Sequence, residues 1–169
     1  YQLETLSAYE PARLGNQFVD ERISSLATVV EIIQRHPQVT LFVELKEESI
    51  EKFSRDKMLQ SVCTQLEPIK QRAVLISFDY DIIQNARAAG WPQVGVVLRR
   101  WEDSKSSQVV GIGGDYCFVN HLVIPADSDF STLNTKLVAY EVGGRQLARE
   151  LLDRGVAMVE TFNIELLLS

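Results

Sequence analysis

Histidine and cysteine are nearly missing from this chain: its 169 residues hold two of each, His36 and His121, Cys63 and Cys117. No Ser-His-Asp or Cys-His constellation can be assembled from two histidines so placed. His36 follows a helical pattern and precedes Pro37, and His121 sits in a strand-like segment, so both read as packing or solvated side chains. Two cysteines make no disulfide framework, and Cys63 lies in an amphipathic helical pattern, so both read as reduced core residues. There is no basic excess: 17 Lys and Arg stand against 23 Asp and Glu, a net charge of −6. That argues against a nucleic-acid partner, since phosphate-backbone binders usually carry surplus cations. No apolar run approaches the ~18 residues of a membrane span, and the expected location is cytoplasmic. The first residue is Tyr1 with no signal-like segment after it, and the chain is expected to be a fragment of a longer protein. Hydrophobic content of 46% and charged content of 24% are ordinary for one soluble domain, here residues 1–169, with a substantial core.

The most informative segment is Thr40 to Lys46, TLFVELK. A buried-strand run, Leu41 to Val43, ends in a carboxylate and an ammonium. Residues two apart on a strand share a face, so if Val43 and Leu45 face one layer, Glu44 and Lys46 face the other. Charges there are costly to bury unless they pair or bind something. In parallel α/β folds the C-terminal strand end is where ligands sit.

The order of elements is alternating. Ser24 or Ser25 caps a helix with Leu26, Val29, Val30 and Ile33 at helical spacing, ended by Pro37. After the Thr40–Leu45 strand a single helix is expected from about Ser49, with Leu59, Val62, Cys63 and Leu66 on one face. The acidic run Glu47, Glu48 and Glu51 reads as its first turn, where the macrodipole favours negative charge. Ala73 to Ser77 is a continuous apolar strand. Asp79 or Asp81 opens a helix through Ile82, Ile83 and Ala86 that closes at Gly90. Further strands are read at Val94–Leu98, within Tyr116–Ile124, at Leu137–Val142 and at Val156–Thr161. A helix carrying Leu147, Ala148, Leu151 and Leu152 precedes the last of these and is capped by Gly155. Apolar strands separated by helices indicate a parallel sheet covered on both faces. Six such strands fit either an open doubly wound sheet or part of a (β/α)8 barrel, and a whole barrel needs about 250 residues.

The series VELK, VLISFDYDII, LVAYEV and GVAMVETF, in that order, resembles the glycerophosphodiester phosphodiesterase family from about Ile23 to Ile164. The resemblance implies a partial TIM (β/α)8 barrel of six strands lacking the first two, and metal-dependent hydrolysis of glycerophosphodiesters to glycerol 3-phosphate and an alcohol in an intact parent. It implies that Glu44 is a ligand of a divalent metal, Mg²⁺ or Ca²⁺, and that Lys46 contacts the substrate phosphate. Hard cations take carboxylate oxygens, and a lysine balances phosphodiester charge as a point cation. Tyr140 stands at the family's tryptophan and keeps an aromatic wall, while Ser77 lies at the Ser-Phe strand end with a substrate-side role.

The departures are specific. The family's His-Arg-Gly strand, its Glu-x-Asp strand and its later His-Asp pair do not occur. Glu141 is a charge where the family has Thr, Gly143 replaces its Asn, and the final Thr-Asp is Thr161-Phe162. This chain alone is therefore expected to be inactive, and the alternative to an enzyme is a non-catalytic relative that binds a phosphorylated ligand or partner. An unrelated open α/β sheet is the third reading. Residues 124–137 lack room for a full helix. The Gly111–Gly114 run lacks the lysine of a P-loop and the spacing of a dinucleotide fingerprint, and reads as a mobile turn before a strand. Arg99 and Arg100 read as a solvated strand end. Six strands of eight leave two edges, so homo-oligomers through exposed edges are expected.

Overall fold

The computed structural model describes residues 6–128, 130 and 133–168. Six short strands form one parallel sheet: β1 (Leu41–Glu44), β2 (Ala73–Ser77), β3 (Val94–Leu98), β4 (Tyr116–Asn120), β5 (Lys136–Tyr140) and β6 (Met158–Val159). Each pairs with its sequence neighbours, in the order β1-β2-β3-β4-β5-β6. Helices α1 (Pro11–Leu14) and α2 (Leu26–Arg35) precede β1; α3 (Glu47–Phe53), α4 (Arg55–Leu66), α5 (Tyr80–Ala88), α6 (Ser107–Ile112) and α7 (Arg145–Asp153) lie between strands, and α8 (Ile164–Leu168) follows β6. The result is an α/β half-barrel.

Because alternate strand residues face opposite ways, the continuous apolar strands feed two cores. Leu75, Val96, Leu98, Cys117, Val119, Leu137 and Ala139 pack outward with Ile83, Ile112 and Leu151 of the helices. Val74, Ile76, Val97, Tyr116, Phe118 and Val138 form a second core on the inner face, with Phe42, Phe78 and Tyr140 packed against it. Phe42 on β1 meets Tyr116 and Phe118 on β4 edge to face, with ring centroids 5.0 and 5.2 Å apart. Three strand steps in a flat sheet would span roughly 14 Å; the sheet is curled. Gly95 allows that packing, because a Cβ there would lie 3.0 Å from the Tyr116 Cβ.

Several local expectations need correction. The helix expected from Ser49 onward is two helices, broken at Ser54, whose φ is +72°. His121 is not in a strand but opens a one-turn 3₁₀ helix after β4. The strand β6 is shorter than Val156–Thr161, although the amides of Ala157 and Glu160 still donate to the Leu137 and Ala139 carbonyls. The connection from β3 to β4 carries a 3₁₀ turn and α6, too short to show periodicity, and Gly111 lies inside α6 with Gly113 at its end in the left-handed region. Between Ile124 and Thr135 no helix occurs among the described residues, as the spacing implied; residues 129, 131 and 132 lie outside them. No helix among the described residues is long and apolar enough to cross a membrane. The two cysteines are free thiols.

Asp79 joins the helical layer to the strand ends. Its Oδ1 accepts from the Ile82 amide at 3.0 Å, capping α5, and Arg55 Nη2 lies 2.8 Å from its Oδ2. Burial alone would raise its pKa, but the Arg55 hydrogen bond and the Ile82 amide outweigh burial and hold the carboxyl below its ordinary value. A lowered carboxylate contributes stability above the ordinary range and loses it as pH falls through the lowered value. Asp79→Ala is therefore expected to cost about 1–2 kcal/mol near neutrality, as loss of a helix cap does. The deficit should shrink in acid, read by urea unfolding at two pH values. An equal deficit at both would refute the ionised cap.

Among the described residues β1 pairs only with β2, and β6 only with β5. The curled sheet does not close on itself, and unpaired edges template pairing with other chains. Light scattering across a concentration series is expected to show association; a monodisperse monomer at the highest concentration would count against it.

Candidate functional site

In a parallel sheet every strand opens its C-terminal end on the same side, and here the curl gathers those ends around a cleft of about 330 Å³. Its floor is the inner core: Ile76, Val97 and Phe118. Phe78 and Tyr140 supply aromatic walls, and its charges are Glu44, Lys46, Glu141 and Glu160. Three of the four residues singled out from sequence, Glu44, Lys46 and Tyr140, thus line one cleft.

Lys46 Nζ donates to Glu44 Oε2 at 2.7 Å, the same-face pair that their spacing dictates. The lysine side chain is 61% exposed, so the pair contributes little stability, about 0–1 kcal/mol for such surface ion pairs. Its other consequence is chemical. Glu44 Oε1 is buried and has no hydrogen-bond partner, an acceptor whose desolvation is uncompensated.

Glu141 ends β5 with φ +62°, the left-handed region that costs a non-glycine residue about 1–2 kcal/mol. Its Oε2 accepts from Asn120 Nδ2 at 2.6 Å, and Asn120 Oδ1 in turn accepts from the Leu122 amide at 2.9 Å. The amide at the end of β4 is thereby fixed and holds the carboxylate of β5. Glu160 sits beside them because its amide donates to Ala139 and its carbonyl accepts from Val142. Glu160 keeps exposed surface as a whole residue, yet partial burial of its carboxyl is the leading cause of a raised pKa. Glu44 and Glu141 add to the rise, and Lys46 opposes it. Tyr140 is raised likewise, by burial first and then by Glu141, Glu160 and Glu44. Arg99 stacks over Phe78 at 4.7 Å and donates to Glu47, so it borders the aromatic wall and is not merely a solvated strand end.

Ser77 does not line the cleft. It is fully buried, its hydroxyl donates to the Leu45 carbonyl at 2.7 Å and accepts from the Asp79 amide at 3.0 Å. It ties the ends of β1 and β2 together behind the site. Neither histidine lines the cleft: His36 ends α2 and precedes β1, and His121 begins the turn after β4. Sequence reasoning passed over Glu160, whose level with Tyr140 and Glu141 is set by its backbone bonds to Ala139 and Val142. Among the described residues no group of three His, Cys, Asp or Glu is arranged to hold a metal ion. A divalent cation would find one orphaned carboxylate oxygen here, on Glu44, and not a ready-made centre.

Size alone does not identify the site. A larger surface hollow of about 670 Å³ lies between α3, α4 and α5, but its Arg55 is already paired with Asp79, which lines it too, and with Asp81.

No protein-family model matches the chain, and no curated protein matches it. Solved structures do. The fold is similar to a protein from Silicibacter pomeroyi described as a glycerophosphoryl diester phosphodiesterase, at TM-score 0.70 and 16% identity over 89% of this chain and 59% of that one. It is similar to a glycerophosphodiester phosphodiesterase from Parabacteroides distasonis, at TM-score 0.71 and 16% identity, over 93% and 73%. It is also similar to an Oleispira antarctica phosphodiesterase solved with the product sn-glycerol-3-phosphate, at TM-score 0.71 and 19% identity, over 87% and 60%. The chain thus spans less than two thirds of the first and third of these. At such identities the likeness is one of fold, and the fold is glycerophosphodiester phosphodiesterase-like.

Ser77→Ala would strand the Leu45 carbonyl and the Asp79 amide in a buried setting. It is expected to destabilise the protein by about 1–3 kcal/mol, the penalty for unsatisfied buried polar groups, read as a shift in urea midpoint. A variant as stable as the parent would show that the hydroxyl is idle in the fold.

Proposed function

We propose that this cleft is the phosphodiester-binding mouth of a glycerophosphodiester phosphodiesterase-like barrel. The observation that carries the reading is the convergence of Glu44, Lys46 and Tyr140 at the C-terminal strand ends of a half-barrel with that fold. Lys46 is the phosphate contact: its ammonium is exposed, and its bond to Glu44 uses one of three donors. Tyr140 and Phe78 form a wall for the glycerol side. Ser77 supports the site by holding the ends of β1 and β2 in register. Glu44 Oε1 is the oxygen that would meet Mg²⁺ or Ca²⁺, whose charge would offset that of the phosphodiester. An acidic rim favours such a cation, because Glu44, Glu141 and Glu160 outnumber Lys46 and would otherwise repel an anion. The neighbouring fold solved with sn-glycerol-3-phosphate is in keeping with a mouth for that chemistry.

Hydrolysis needs proton transfer at the attacking and leaving oxygens, worth typically ~10²–10⁴-fold per group. In the resembling family two histidines do this, and in this chain neither His36 nor His121 lines the cleft. The chain alone therefore binds without turning over. In a longer parent, a segment bearing His-Arg-Gly and Glu-x-Asp motifs would complete the acid-base and metal groups.

The test is an assay on glycerophosphocholine with added Mg²⁺ or Ca²⁺, comparing the chain with Glu44→Ala. Equal background in both is expected. Turnover that vanishes in the variant would show that catalysis survives without the histidines and would overturn this assignment of roles.

A further inference from the structure

We infer that Arg99 is a second cationic arm of the cleft, latched to Glu47 when the cleft is empty, and that an oxyanion seated at Lys46 opens the latch by taking the place of Glu47. The inference assigns a further binding residue and a switch to the mouth, and it rests on reading that mouth as an anion site.

The geometry is that of a strap. Arg99 follows the last residue of β3 and lies two positions beyond the inner-core residue Val97, so strand alternation sends it toward the inner face. Its guanidinium donates to Glu47, the first residue of α3, just after β1. In the sheet β2 lies between β1 and β3, so the side chain crosses the end of β2 to reach its partner. On the way it lies over Phe78, with Cζ 4.7 Å from the ring centroid, and Phe78 lines the cleft. Arg99 is also near enough to Tyr140, on another wall of the cleft, to oppose the rise in that phenol's pKa. Glu47 is next in sequence to Lys46, so the latch point adjoins the exposed ammonium of the cleft.

The latch is weak and its replacement is well matched. The Arg99 and Glu47 side chains are 57% and 40% exposed, and ion pairs so exposed are weakly held. A guanidinium fork takes two phosphate oxygens as readily as two carboxylate oxygens. The stack on Phe78 does not depend on Glu47, so the arm stays at the mouth while its anionic partner changes. The competing role is a static brace, in which the pair only ties the loops after β1 and β3. The two roles differ in sign: neutralising Glu47 loosens a brace but frees an arm.

The experiment is an NMR titration of the full chain with inorganic phosphate at fixed ionic strength, reading the side-chain methylene resonances of Arg99 and Lys46. Both are expected to shift saturably with one affinity. Glu47→Gln should tighten phosphate about two- to fivefold, the strength of an exposed pair, and Arg99→Gln should weaken it about tenfold, the scale of charge-assisted hydrogen bonding. In the double variant the gain from Glu47→Gln should disappear. A gain of equal size without Arg99 would reflect only the loss of a nearby negative charge, and it overturns the latch. So does an Arg99 signal that stays still while Lys46 saturates, a result that leaves the mouth in place. An Arg99 shift indifferent to Lys46→Gln has the opposite meaning: the exchange with Glu47 stands and the mouth falls. No shift at either residue overturns both. Should a variant fail to fold, the Arg99 resonance of the parent decides alone.

Discussion

The curl of the sheet is the constraint on which the rest depends, and it is fixed where Phe42 reaches from β1 to Tyr116 and Phe118 on β4. In a flat sheet, β1 and β5 lie four steps apart, roughly 19 Å at the usual strand spacing. Glu44 and Glu141 could not then border one cleft of about 330 Å³. The inner aromatic cluster thus does more than bury area. It turns a row of strand ends into a concave site, and Gly95 makes room for the ring that holds it.

Above that core the polar groups fall into two kinds. Ser77, Asp79 and Arg55 are satisfied by one another and by backbone, and they hold β1, β2 and the helices in place. Glu44, Glu141 and Glu160 are not fully compensated: one has an orphaned buried oxygen, one sits on an unfavourable backbone, one has a raised pKa. Such violations of local preference collect at functional sites, since a fold retains them only where something else offsets the cost.

The same division explains what was legible in the sequence. Two central strands were readable to the residue, because Ala73–Ser77 and Val94–Leu98 are apolar throughout, as parallel strands buried on both faces are. Glu44 and Lys46 were readable because a two-residue spacing on a strand fixes a shared face. Ser54 was not: nothing in a serine announces a positive φ, so two helices read as one. Tyr140 could be placed, but β5 was read two residues long because Glu141 breaks it by a backbone choice that carries no sequence signature. Ser77 looked like a site residue through its resemblance to the family's Ser-Phe strand end, but its hydroxyl meets the Leu45 carbonyl and the Asp79 amide. Glu160 was missed because a lone glutamate beside a loop is ordinary until its neighbours across the sheet are known.

The bond between Lys46 and Glu44 reverses how this mouth should respond to ionic strength. A basic cleft draws phosphate from solution, and salt screens that attraction within about 10 Å at 0.1 M. Here the lysine is neutralised at close range by Glu44, where screening hardly reaches, while Glu141 and Glu160 leave the rim with a net negative charge. An approaching inorganic anion meets a rim whose summed charge is negative. Added salt weakens the outer repulsion and leaves the inner pair intact, so simple anions enter faster in brine than in dilute buffer, and organic cations more slowly.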